Sequence, residues 1–158
     1  MRMSETPARV RALFVSPRRS YPMTPRTAVT ARTDHGLDGD AHARPGGSRQ
    51  VLLLDSETLT ELGVAPGALK ENITTEGLRV AELQPGTRLR VGAAALEITK
   101  ECKPCEFVES VQAGMLPKIQ GRRGMLARVV EGGPIQVGDA IQVLTAEGQK
   151  ADPSLRSG

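Results

Sequence analysis

Three features of the sequence predict a mainly β fold with short helices, a β-rich α+β domain with a barrel- or sandwich-like core. Short β-type runs recur along the chain, and 17 glycines and 11 prolines punctuate them at close intervals. Aromatic residues make up only 2% (Phe14, Tyr21 and Phe107), so the core must be built from Val, Leu, Ile and Ala. The 158 residues suit one domain, and a chain of that size buries roughly two-thirds of its unfolded surface without a metal or disulfide. The single domain is expected over residues 9–145, with a loose start at 1–8 and a loose polar tail at 146–158.

The elements follow in order. Residues 10–16 alternate and are rich in β-branched side chains, as a strand does. Residues 49–54 end in the aliphatic run Val-Leu-Leu-Leu, the pattern of a buried strand. Asp55 or Ser56 can then cap a helical turn running to Leu62, with Gly63 as its stop. Residues 87–91 alternate Arg88 and Arg90 with Leu89 and Val91, and Gly92-Ala93 turns that run tightly into 94–99. After Pro104 a short helix is expected over 106–112, and another over 116–120. Residues 126–130 and 140–145 complete the strands, and 132–139 reads as turn, short strand and turn.

Charge and composition exclude several classes. The longest strictly aliphatic run is Val51 to Leu54, too short to span a bilayer, so no membrane partner is expected. The opening MRMSETPARVRALFVSP lacks a continuous apolar stretch of the kind a secretory signal needs, so a cytoplasmic location is expected, where thiols stay reduced. The net charge is +3, with the basic residues scattered rather than run together. Dispersed charge and scarce aromatics count against nucleic acid, whose single strands are bound on aromatic platforms.

Four constellations can carry chemistry. Gly36-Leu37-Asp38-Gly39-Asp40-Ala41-His42, followed by Arg49, places Asp40, His42 and Arg49 on a glycine-bent loop able to face a polar ligand. The same residues also suit a loop tied by its own Asp side chains. In Glu71-Asn72-Ile73-Thr74, Asn72 offers both donor and acceptor to a heterocycle edge, or simply caps a turn. Gly121-Arg122-Arg123-Gly124 sets two guanidinium forks where the backbone can approach an anion, or forms a basic surface turn.

The fourth is Cys102-Lys103-Pro104-Cys105. A single C-x-x-C is half of a tetrahedral zinc site, and His35 and His42 are not spaced as its other half. A thioredoxin-like role needs the motif after the first strand of a βαβ unit, and no such unit is expected in this chain. Two small buried hydrophobes remain a plain alternative. Cys105, ahead of a helix and near Lys103, is placed to favour thiolate, the nucleophile and soft-metal ligand, with Cys102 secondary.

In order and approximate spacing, GLDGDAH, RQVLLL, ENITTEGL, PGTRLRVG, CKPC, GRRGMLARVV and GGPIQVGD resemble the MOSC domain family, which is named for the C-terminal part of molybdenum cofactor sulfurases. The resemblance runs from about Val10 to Thr145 and implies a MOSC-type, barrel-like β core. It implies binding of the molybdenum cofactor (molybdopterin), with Cys105 matching the family's hallmark cysteine as molybdenum ligand or persulfide sulfur carrier. Asp40, His42, Arg49, Asn72, Arg122 and Arg123 are the expected anion and pterin contacts, gathered by the fold around Cys105. Stand-alone relatives imply either a molybdenum-cofactor-dependent oxidoreductase that reduces N-hydroxylated compounds or a sulfur transferase. The alternative is a non-catalytic sulfur or cofactor carrier for metal–sulfur cluster assembly. Pyridoxal phosphate is expected only on a separate cysteine desulfurase partner, and electrons only from a flavin or iron–sulfur reductase partner.

Overall fold

The computed structural model describes residues 7–18 and 22–144. Of the expected loose start only Pro7 and Ala8 are described, and the expected tail at 146–158 lies outside the described residues. The strands are β1 (Arg9–Val15), β2 (Thr24–Arg26), β3 (Ala28–Arg32), β4 (Gly36–Leu37), β5 (Val51–Asp55), β6 (Ile73–Glu76), β7 (Arg88–Val91), β8 (Ala94–Glu101), β9 (Met125–Glu131), β10 (Gly133–Gln136) and β11 (Ile141–Leu144). The helices are α1 (Ser56–Leu62), α2 (Phe107–Val111) and α3 (Met115–Lys118), with a 3-10 turn at Val80–Glu82. Among the described residues no helix is long and apolar enough to cross a membrane.

One eight-stranded sheet runs β11-β7-β8-β9-β5-β6-β1-β2, and a three-stranded sheet runs β10-β3-β4. Their inward faces meet in one core that includes Leu13, Leu37, Leu53, Leu89, Leu96 and Ile135. The β-rich α+β class is as the sequence predicts, but the ladders do not close into a barrel. The reason lies at β1: β2 takes up its second edge over Leu13, Phe14 and Val15. Only the Arg9 end is left to reach Ala140, by a single antiparallel bridge.

The expectation of no βαβ unit is also corrected, because β5 and β6 are parallel, with Leu53 opposite Ile73 and α1 between them in the chain. That turn was hard to read because Ile73–Glu76 is mostly polar, although threonine is β-branched and suits a strand. The cysteine pair follows β8, not β5, so it does not stand where the thioredoxin motif stands.

Strand β5 is buried on both faces. Val51 and Leu53 point into the main core, as the two-residue period of a strand requires. Leu54 joins the helical layer with Leu59, Leu62, Val108 and Met115. Leu52 packs instead with Cys102 and Leu126. Asp55 caps α1 by accepting from Thr58 N at 2.9 Å and Thr58 Oγ1 at 2.7 Å, and Gly63 stops it in the left-handed conformation at φ 79°. Such a cap contributes about 1 kcal/mol.

Candidate functional site

Cys102 lies just past β8, its N–H donating to Gly124 O at 2.9 Å and its surface 6% exposed. Gly124 has φ 123°, and a Cβ there would sit 2.7 Å from Leu53 O. Only glycine therefore lets the chain carrying Arg123 run so close to β5. Pro104 has no N–H to donate, and Cys105 follows it, exposed, its carbonyl accepting from Val108 N at 3.1 Å as the chain turns into α2.

Both thiols line a cavity of about 400 Å³. Its basic side chains come from separate parts of the chain: His42 and Arg49 from the β4–β5 connection, Lys70 from before β6, and Arg123 from before β9. Among the described residues no carboxylate lines it. Its apolar wall is the Leu52, Cys102 and Leu126 cluster. A larger groove of about 520 Å³ runs along α1, holds neither thiol and mixes Glu57, Glu61 and Glu76 with Arg11 and Arg79.

Arg123 is the charged group that this environment leaves least satisfied. It is 6% exposed, and its Nε and Nη1 have no hydrogen-bond partner in the protein. A buried charged donor without a partner costs at least about 1–3 kcal/mol, so the cavity is prepared for an acceptor. Arg122 does not line the cavity. Adjacent side chains diverge here, and Arg122 donates from Nη1 to Glu61 Oε1 at 3.0 Å and from Nη2 to Lys118 O at 2.9 Å.

Asp40 stands behind the wall rather than in it. Its Oδ1 accepts from Ser16 N at 2.8 Å and Asn72 Nδ2 at 3.1 Å, and its Oδ2 accepts from His42 N at 3.1 Å. His42 Nδ1 lies 3.6 Å from the same Oδ2. Burial pushes the Asp40 carboxyl up, but the His42 ring, the Ser16 and His42 N–H groups and the His42 charge outweigh it and hold the carboxyl below its ordinary range. Asn72 lines the cavity with both amide donors engaged, one by Asp40 and one by Phe14 O at 3.2 Å. Its Oδ1 accepts from Leu52 N at 2.9 Å. Asp40 and Asn72 thus fasten the His42 loop, the end of β1 and the start of β6 to one another.

Sequence reasoning did not single out Lys70 or Met23, which line this cavity, and gave no role to Glu71, buried behind it. Lys70 carried a backbone signal that no sequence pattern reveals, a left-handed φ of 66°. Glu71 is 0% exposed; its Oε2 accepts from Gly67 N at 2.8 Å and Thr74 Oγ1 at 2.7 Å, and its Oε1 has no partner. Burial raises its pKa, and the Gly67 and Thr74 hydrogen bonds with the Arg123 charge only partly offset it. Among the described residues no cluster of three or more His, Cys, Asp or Glu side chains is arranged to hold a metal by itself. A metal that brought its own sulfur ligands would need only one thiolate from the protein.

Sheet order, thiols and basic side chains define a β-rich domain with a thiol-lined cavity. The chain belongs to the MOSC domain family, which it matches over residues 38–142. Among solved structures it is similar to the YuaD protein from Bacillus subtilis at 21% identity, with a TM-score of 0.73 over 87% of this chain and 96% of that one. YiiM from Geobacillus stearothermophilus is similar at 21% identity and a TM-score of 0.72, over 88% of this chain and 76% of that one. YiiM from Escherichia coli gives 21% identity and 0.63, over 88% and 69%. These likenesses are of fold. No curated protein matches in sequence.

Proposed function

We propose that this MOSC domain binds the molybdenum cofactor in the thiol cavity, with Cys105 as the protein's ligand to the metal. The observation that carries this reading is Arg123, buried at the cavity wall with two N–H groups unpartnered, in a lining that holds no carboxylate among the described residues. The residues fit the group. Arg123 and Arg49 would hold its phosphate, the first by the planar fork that suits phosphate oxygens. Cys105, exposed at the cavity, offers the soft sulfur donor that a dithiolene-bound metal accepts. Leu52, Cys102 and Leu126 give the same cavity an apolar wall. His42, its Nδ1 3.6 Å from Asp40 Oδ2, presents a hydrogen-bonding ring at the wall.

When bound, the cofactor supplies two-electron redox chemistry, which here serves reduction of N-hydroxylated compounds. The electrons come from a flavin or iron–sulfur reductase partner in the cytoplasm. A second reading, sulfur carriage on a Cys105 persulfide received from a pyridoxal-phosphate-dependent desulfurase, is favoured by the exposure of that thiol, which a partner can reach. Metal analysis with pterin fluorescence, on protein purified from a host that makes the cofactor, tests the proposal. Molybdenum and pterin at one equivalent each, lost together in Cys105→Ser and Arg123→Ala, is the expected result. One equivalent of zinc with neither molybdenum nor pterin overturns it.

A further inference from the structure

The thiol cavity has a neighbour at Lys70. A second hollow of about 300 Å³ shares Met23 and Lys70 with it, and its other walls are Phe14, Pro22, Pro66, Gly67 and Ala68. We propose that this annex is a binding subsite for the apolar body of a neutral or anionic small-molecule substrate whose head lies toward Cys105 and Arg123. The substrate role rests on the cofactor reading above; the binding subsite does not.

The lining decides the chemical class. Among the described residues the annex presents, apart from Lys70, no charged side chain and no side-chain hydrogen-bonding group, only proline rings, an aromatic ring, a thioether and a methyl. A ligand pocket of this size gains its affinity by burying apolar surface, and a few polar groups set the ligand's direction. Here those groups all lie at the thiol end: Arg49, Arg123 and His42 beyond the junction, with Lys70 at it. A cationic ligand would meet these with no carboxylate among the described residues of either lining to balance it.

The annex is also held in shape. Gly67 has φ 87°, and a Cβ there would sit 2.8 Å from Phe14 Cε1, so only glycine admits the Phe14 ring at this distance. Lys70 carries its left-handed backbone because the turn is fastened from two sides. Lys70 N donates to Gly67 O at 3.0 Å, and Gly67 N donates to Glu71 Oε2 at 2.8 Å. Such a strained residue persists only where the surroundings impose it. The ammonium of Lys70 lies 5.2 Å from the centroid of Phe107, a ring on the thiol side. Its charge is therefore drawn toward the thiol cavity and its methylenes are left to the junction. The α1 groove has no comparable apolar wall without acids.

Methyl-resolved NMR titration with 2-naphthoate, acetate and 1-naphthylmethylamine tests the subsite directly. Naphthoate should shift the Met23 and Ala68 methyls and bind more tightly than acetate, with the amine weakest. Ala68→Leu should weaken naphthoate by at least about tenfold, the scale of a misfit methylene in an apolar pocket, and leave acetate affinity and molybdenum content unchanged. Met23→Gln, at a half-buried position, gives a second reading should the leucine variant fold poorly. Equal naphthoate affinity in wild type and variants, or shifts confined to other methyls, overturns the subsite. Naphthoate bound at Met23 and Ala68 by a protein that takes up neither molybdenum nor pterin overturns the cofactor reading alone and leaves the subsite standing.

Discussion

Arg123→Ala is the substitution that most directly probes the cavity. In the free protein the guanidinium is buried with Nε and Nη1 unpartnered. A bound oxyanion would supply acceptors to both, and a hydrogen bond to a charged group contributes about 1.5–3 kcal/mol. Loss of one such bond lowers affinity roughly ten- to hundred-fold at 25 °C, and loss of both lowers it further. Arg123→Lys should recover only part, since an ammonium cannot make the planar fork. Arg122→Ala is the control: its guanidinium is engaged by Glu61 and Lys118 O and does not line the cavity. The assay is calorimetric titration with sulfate and with phosphate at fixed ionic strength, alongside a thermal melt of each variant. Removing a buried, unpartnered charge should leave the melt of Arg123→Met close to wild type while anion affinity falls. Unchanged anion affinity in Arg123→Ala, or an equal loss in Arg122→Ala, would refute the reasoning.

Other outcomes follow from the same wall. Glu71 has a raised pKa, so the folded state holds its proton more tightly than the unfolded one. Its contribution to stability is full below the unfolded carboxyl range and is lost as pH rises through the folded value. Urea melts of Glu71→Gln should therefore gain on wild type as pH increases, and parallel profiles would contradict this. Asp40 runs the other way: its lowered pKa gives stability above the unfolded carboxyl range that is lost as pH falls through the folded value. Asp40→Asn should flatten that acid limb and cost on the order of 3 kcal/mol at neutral pH, since an amide cannot accept at both ends. Cys105, exposed, should alkylate with iodoacetamide well before Cys102 by peptide mass analysis, and prior labelling of Cys102 would reverse their assigned roles.

What the sequence revealed depended on whether a pattern was local. Asp55 and Gly63 punctuate α1 by their own chemistry, and the Gly92-Ala93 hairpin joins two alternating runs, so these were legible. Strand β2 has no such signal: Thr24, Pro25 and Arg26 are all exposed and extended because β1 pairs with them. The alternation of β3 was there to be read, in the buried Val29 and Ala31, but is only five residues long. At the site, residue types do not distinguish cavity wall from support. Asp40 and Asn72 have the chemistry of ligand contacts, and only the fold shows their hydrogen-bonding groups engaged by Ser16, His42, Leu52 and Phe14. Lys70 gave no sign because its place depends on a turn set by Gly67 and Glu71.

The cavity wall draws on residues from Ser16, just past β1, to Leu126, within β9, and never from one contiguous stretch. Contacts of such long sequence separation form late, because loop closure must be met before they repay it. No fragment of this chain should hold the cavity, and an incompletely folded molecule has nothing with which to capture a ligand. Occupancy then reports global folding: a ligand that binds only the native state raises its stability by RT ln(1 + [L]/Kd), about 2.7 kcal/mol at a hundredfold excess over Kd. The melting temperature should climb with free ligand concentration, and loading becomes a quality checkpoint that stalled chains fail without any dedicated sensor.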